Sequence, residues 1–344
     1  MHAQTRQPLL NPHLPKTDLH RHLEGAVRLE TVIELSLANG LPLPARDPAA
    51  LAPYAWIQSP TADILQLLPK FDLLRQIFVD LDACRRVTWE CLEDAAKEGL
   101  DYVELRFSPL FMAEPHGLDP FGVTAAVCEA WQEARGRLPV ESRLVGILSR
   151  TYGPEACRVE LEAVLAYRGR GIAGLDLAGD EARHPAVDFR QHFQRAREAG
   201  LHLTAHAGEF AGPESVRQTI LELEPERIGH GVHAVEDPAL LDFIAERGIA
   251  VECCPTSNLL TTAVAALSAH PLPLFLQRGI CATLNTDDPA LMGRLQLVDE
   301  YQAARDQMGL TQADLEQVQR NGLQAAFLDE GEKSSLLKKI SGEG

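Results

Sequence analysis

The stretch Asp18-Leu19-His20-Arg21-His22-Leu23-Glu24-Gly25 decides how the rest of the chain is read. Thr17–Leu23 has the pattern of a short buried strand. In a strand, residues two apart share a face, so His20 and His22 can both look inward. Two imidazoles side by side in a core need a shared partner, and a metal ion is the usual one. The pair taken alone fits a chance core or surface location equally well. A strand that ends in chemistry, however, poses a question about the other strands.

Working outward, seven further strand patterns appear, at Tyr102–Ser108, Arg143–Leu148, Ile172–Leu177, Leu201–His206, Arg227–His230, Ile249–Cys253 and Ile280–Asn285. Helical patterns lie between them, at Leu29–Ala38, Gly122–Arg137, Glu155–Tyr167, Phe189–Ala199, Glu214–Leu223, Pro238–Arg247 and Pro271–Gln277. Eight strands alternating with helices predict an α/β protein of the (β/α)8 TIM-barrel type. The stretch before the second strand is too long for one crossover. A helical region over Ala62–Glu98, interrupted near Pro69, makes the barrel distorted, with extra helices between strands 1 and 2 that could form a lid. The tail after Leu291 is helical, with Thr311–Leu328 its clearest member. With no internal repeat or linker, residues 1–344 read as one domain. An open doubly wound sheet is the competing architecture. No GxGxxG follows the first strand, and an open sheet would spread apart strand ends that a barrel gathers at one mouth.

Those ends carry the chemistry. The fifth strand closes in Thr204-Ala205-His206-Ala207-Gly208-Glu209, the sixth in Ile228-Gly229-His230-Gly231, and the eighth in Asn285-Thr286-Asp287-Asp288-Pro289. Read singly, Glu209 is a solvated carboxylate and the Asp pair a turn or helix cap. Taken together, His20, His22, His206 and Asp287 form a nitrogen- and oxygen-rich shell suited to one zinc ion with a position left for water. The fourth strand, Gly174–Asp180, contains no lysine to bridge a second metal, and the HxE…PCxxC deaminase pattern is absent. His230 at the same mouth could hold or deprotonate the water. Glu209, if burial keeps it protonated, could donate to a ring nitrogen of a planar substrate. Asp288 could share a proton at another ring nitrogen, and the backbone N–H of Gly179 can approach a flat ligand closely.

Composition narrows the partners. The 344 residues carry a formal net charge of -17, which repels nucleic acid and argues against polyphosphates. Seven scattered cysteines, two of them the adjacent Cys253 and Cys254, fit reduced, buried residues packed behind a loop at Pro255–Asn258. The opening residues MHAQTRQPLLNPHLPK lack a signal-like apolar stretch, and no run has the length of a membrane span. The expectation is a soluble cytoplasmic protein with a small-molecule substrate. Nothing in the sequence distinguishes an oligomeric interface from ordinary surface.

The ordered segments PKTDLHRHLEGAVRLET, LDLAGDE, LTAHAGEFAGPES, RIGHGVH, CPTSN and NTDDP resemble the adenosine deaminase family of metal-dependent hydrolases, from Pro15 to Leu328. DACRRV, YVELRFSP and NGLQAAFL resemble its bacterial members in particular. The resemblance implies one zinc on His20, His22, His206 and Asp287, Glu209 as proton donor to purine N1, and His230 aligning the attacking water. It implies Asp288 at N7 and Gly179 at N3, with inosine and ammonia formed from adenosine or 2′-deoxyadenosine in purine salvage. One position departs: the family usually reads HxHLDG, and this chain has Glu24 on the sugar side. Relatives acting on adenine, or on 5′-modified nucleosides such as aminodeoxyfutalosine, commonly carry that Glu, so both substrates remain alternatives. A mononuclear zinc hydrolase of amides or phosphoesters, and a purine- or metal-binding protein without turnover, are the readings from other classes.

Overall fold

In the computed structural model, which describes residues 8–61 and 64–341, eight parallel strands lie in chain order around one axis. They are β1 (Thr17–His22), β2 (Tyr102–Phe107), β3 (Glu141–Ser149), β4 (Ile172–Ala178), β5 (His202–Ala207), β6 (Arg227–His230), β7 (Ala250–Cys253) and β8 (Ala282–Leu284). Each expected strand is present, with ends that move by at most two residues. The ring closes where Asp287 N–H donates to His20 O and His22 N–H to Asp287 O, both at 2.8 Å. Asn285 adds a side-chain clasp, its Oδ1 accepting from Leu19 N–H at 2.9 Å.

The strands hold together because both of their faces are covered. All six residues of β2, YVELRF, are buried, and the outward members pack under helices such as Leu81–Glu98 and Pro120–Ala134. The inward members are Tyr102 and the charged Glu104 and Arg106. Arg106 donates to Asp176 at 2.8 Å and to Glu252 at 2.9 Å, and all three side chains are shielded from solvent. Arg227 lies with its Nε 2.6 Å from Glu252 and also bonds Glu104. Buried charge is tolerated only when paired and hydrogen-bonded, and here the pairing runs across the lumen from strand to strand.

Two expectations are corrected. The helical region does not break near Pro69: the helix Ile64–Arg75 contains that proline, and the interruption comes at residues 76–80. There Ile77 and Phe78 turn into the core, and Asp80 caps the next helix by accepting from Ala83 N–H at 2.8 Å. The expected start of that region at Ala62 lies outside the described residues, as do residues 1–7. The segment expected as a loop at Pro255–Asn258 is instead the helix Pro255–Leu260, started by a proline at its first position. Short helices at Pro48–Ala55 and Pro109–Ala113 are not announced by the sequence patterns. The first packs against the helices Leu29–Ala38 and Ile64–Arg75, and the second follows the C-terminal end of β2. Among the described residues, no helix is long and apolar enough to cross a membrane. All seven cysteines are free, and all but Cys281 are buried.

Candidate active site

The C-terminal ends of β1, β5 and β8 bring His20, His22, His206 and Asp287 together, with one ligating atom from each within 4.8 Å of all the others. Nε2 of His22 and Nε2 of His206 are 3.3 Å apart, and Nε2 of His20 and of His22 each lie 3.3 Å from Oδ1 of Asp287. The outer nitrogens are held from behind. Nδ1 of His20 donates to Glu252 Oε2 at 2.7 Å, and Nδ1 of His206 to Asp176 Oδ1 at 3.1 Å. With their hydrogens spent there, both rings turn lone pairs toward the shared centre. Nε2 of His20, fully buried, has no hydrogen-bond partner. Three nitrogen lone pairs and a carboxylate oxygen aimed at one point repel each other in the absence of a cation, so the residues fit a divalent metal.

The backbone is bent to make this arrangement. His230 and Asp287, neither of them glycine, have φ of 64° and 61°. Such conformations cost on the order of 1–3 kcal/mol each and persist when the surroundings dictate them. For Asp287 the dictating contacts are its two backbone bonds to β1.

Glu209 follows β5, and Glu181 shapes its loop. The Glu181 carboxylate accepts from the N–H groups of Gly208 (2.6 Å), Glu209 (3.2 Å) and Phe210 (3.1 Å), and from the Ser215 hydroxyl. Burial, then the negative charges of Asp287 and Glu181, push the Glu209 carboxyl well above the usual range. Its balance is thereby shifted toward the protonated form, with Oε2 3.4 Å from Nε2 of His230. Asp288 is also pushed up, by burial and by Asp287, and its buried Oδ1 has no partner. A protonated carboxyl can donate, which an ionised one cannot.

Beside the metal shell lies a cavity of about 320 Å³ lined in part by His22, Glu24, Ser108, Phe111, Arg75 and Gly179. Gly179 has φ of 112°, and a Cβ there would stand 2.5 Å from Thr151 Oγ1, so only glycine leaves this wall open. Glu24 accepts from Ser108 N–H at 2.7 Å, and burial raises its carboxyl to about 7. Phe71, Asp72 and Arg75 of the extra helix Ile64–Arg75 line the same cavity, where a lid was expected.

Thus every candidate residue lies at or beside one mouth. The sequence reading missed Asp176, Glu252 and Glu181, which orient the others, and left His270 unassigned. A signal was available for the first two: each is a carboxylate inside an apolar strand, at a position whose neighbours two residues away face the lumen.

A parallel eight-stranded barrel with a His/Asp cluster at the C-terminal mouth defines a metal-dependent hydrolase. The sequence comparison gives the family: its profile, described as adenosine deaminase, matches residues 15–343. This chain belongs to the adenosine deaminase family. It is 50% identical over 334 residues to an adenosine deaminase of Serratia proteamaculans, covering 97% of this chain and all of that one. Among solved structures it resembles an adenine deaminase of Arthrobacter aurescens, with a TM-score of 0.87 and 25% identity over 96% of this chain and 99% of the other. It also resembles an amidohydrolase of Burkholderia ambifaria with bound Zn, with a TM-score of 0.85 and 27% identity, covering 99% and 95%.

Proposed function

We propose that the protein hydrolyses the exocyclic amino group of adenosine, and of 2′-deoxyadenosine, releasing inosine or 2′-deoxyinosine and ammonia in purine salvage. The observation that carries this reading is the placement of Glu209, a buried carboxyl whose pKa burial raises, beside His230 and the convergent ligand set. The leaving atom of an ester or amide would take a single proton, whereas a purine ring offers nitrogens on both edges, one to Glu209 and one to Asp288.

His20, His22, His206 and Asp287 would hold the metal, which we take to be zinc from the three-nitrogen, one-oxygen donor set. Bound there, zinc would supply positive charge beside a water and lower its pKa from roughly 15.7 to about 7. Glu209 donates its proton to N1, which draws electrons from C6 and opens that carbon to the water oxygen. His230 aligns that oxygen. Asp288 meets N7 with its unpartnered carboxyl, and the N–H of Gly179 meets N3, so the ring is gripped on both edges. In the course of the attack the water oxygen gives up two protons, one that restores Glu209 and one that passes to the leaving nitrogen. Collapse of the tetrahedral carbon then expels the amino group as ammonia and leaves N1 protonated. Glu24, anchored at one oxygen by Ser108, presents the other to the sugar side of the cavity. The expected cytoplasmic location accompanies this reading, with a purine nucleoside as the partner and no role for nucleic acid or membrane.

The likeness to an adenine deaminase, together with Glu24, supports one second reading: adenine or a 5′-modified nucleoside as the preferred substrate. A deamination assay on zinc-loaded protein with adenosine, 2′-deoxyadenosine, adenine, AMP and aminodeoxyfutalosine separates them. Adenosine is expected to have much the highest kcat/KM. If adenine or the 5′-extended nucleoside wins, the substrate assignment falls and Glu24 marks a changed sugar-side pocket.

A further inference from the structure

Behind His230, on the side away from the cavity, a chain of buried polar groups ends on a backbone amide. The N–H of Leu272 donates to Nδ1 of His270 at 3.2 Å. A backbone amide has only a hydrogen to offer, so this ring nitrogen carries the lone pair. Burial pushes the His270 imidazole down to about 3, so the ring is neutral and its one hydrogen sits on Nε2. That nitrogen is 3.2 Å from Oδ1 of Asn258 and donates to it. With its oxygen engaged, the Asn258 amide turns its NH2 toward His230, where Nδ2 donates to Nδ1 at 3.0 Å. Nδ1 of His230 is therefore the acceptor. The hydrogen of the neutral ring lies on Nε2, the nitrogen that faces Glu209 at 3.4 Å and Asp287 at 4.0 Å. His230, Asn258 and His270 are 1%, 0% and 3% exposed, so bulk solvent does not reach the bonds between them.

We propose that Asn258 and His270 are positioning residues which, anchored on the Leu272 amide, hold His230 as the Nε2–H tautomer, so that it meets the attacking water as a hydrogen-bond donor to oxygen. The proposal rests on the deaminase reading for its consequence, though not for its geometry. The opposite tautomer would set the Nδ1 hydrogen of His230 against the NH2 of Asn258, two donors facing each other in a dry site. Turning the Asn258 amide over relieves that clash and creates another, of its NH2 against the Nε2 hydrogen of His270. Moving the His270 hydrogen from Nε2 to Nδ1 as well leaves the Leu272 amide facing a hydrogen. The direction of the whole chain is set by a group that cannot reverse. His230 thus has no free lone pair on the site side in its resting form, and aligning the water, rather than taking its proton, is the role left to it.

The test is spectroscopic first. Zinc-loaded full-length protein labelled with ¹⁵N-histidine would be examined by two-bond proton–nitrogen correlation, which reads the nitrogen that bears the hydrogen. Both His230 and His270 are expected as Nε2–H tautomers. Asn258→Asp keeps the shape but offers only acceptors, so the His230 hydrogen is expected to move to Nδ1. With zinc retained, kcat should then fall on the order of a hundredfold while KM changes little, because the alignment matters to the transition state and not to binding. A wild-type spectrum with the His230 hydrogen on Nδ1 overturns the proposal. So does an Asn258→Asp protein whose tautomer has moved but whose kcat is unchanged, or one that loses activity with the His230 tautomer unmoved. If that variant does not fold, the wild-type spectrum still decides. A wild-type protein that turns over no purine defeats the deaminase reading instead, and leaves the tautomer to the spectrum.

Discussion

Glu252 reaches across the lumen from β7 and accepts a 2.7 Å hydrogen bond from Nδ1 of His20 on β1, with neither side chain exposed to solvent. The contact fixes which nitrogen of His20 faces the metal site and raises its basicity. The same carboxylate takes Arg106 at 2.9 Å and Thr204 Oγ1 at 2.9 Å, and lies 2.6 Å from Arg227 Nε. Charge neutralisation of the barrel core and orientation of a ligand are thus performed by one side chain.

Glu252→Gln should therefore act at a distance from the substrate. Metal affinity is expected to fall about 10- to 100-fold. Stability should fall too, by on the order of 3–5 kcal/mol, because two buried guanidinium groups lose a counter-charge. Competition against a chelator measures the first and urea unfolding the second. Unchanged metal retention would mean that His20 is oriented by something other than Glu252.

Glu209→Gln separates proton donation from metal binding. The ligands are untouched, so metal content should stay at wild-type level. Turnover should drop by about 10²–10⁴-fold, since an amide has no proton to give N1. A variant with near-normal kcat would remove Glu209 from the donor role.

Much of this was legible in the sequence because barrel strands are short, β-branched runs whose C-terminal ends carry the chemistry. Arg227–His230 and Leu29–Ala38 have the same limits in sequence pattern and structure. His20, His22, His206 and Asp287 could be grouped because each terminates a strand. What escaped was of two kinds. Asp176, Glu252 and Arg106 lie in mid-strand, where period-2 reading sees charge but not its partner 70 or 146 residues away. Pro69 looked like a break because proline lacks an N–H, yet the break came where Asp80 caps a new helix and buried Ile77 and Phe78 redirect the chain. Tertiary packing decided that point, and no local pattern announced it.

Glu300 gives the chain a pH dependence remote from the metal. It is fully buried, accepts from Thr256 N–H at 2.9 Å with Oε1, and has no partner for Oε2. Burial raises its carboxyl to about 8 in the folded protein, against 4.5 ordinarily. A raised folded value means that its contribution to stability is complete below about pH 4.5 and is lost as pH rises through about 8. Glu300→Gln, which mimics the protonated form, should remove a slope of up to roughly 1.4 kcal/mol per pH unit in that window. Urea unfolding of both proteins from pH 5 to about 9 reads the difference. Parallel curves would mean that Glu300 does not titrate there.

Gly25 and Asp288 make the last prediction. A Cβ on Gly25 would stand 1.7 Å from Asp288 Oδ1 and 2.5 Å from its Cγ, distances that no contact tolerates. The backbone has little room to retreat, since Gly25 O accepts from Ala290 N–H at 2.7 Å. The Asp288 side chain must therefore swing aside. Gly25 does not have a positive φ, so alanine adds bulk there without backbone strain. Gly25→Ala should keep its fold and its metal, because the three atoms nearest the added carbon all belong to Asp288 and none to a ligand. It should lose on the order of a hundredfold in kcat/KM, as expected when a group that orients a substrate is displaced by about an ångström. Steady-state kinetics with a parallel metal assay tests this. Wild-type kinetics in that variant would show that the place Asp288 occupies is not needed for turnover, and its assignment to N7 would fall.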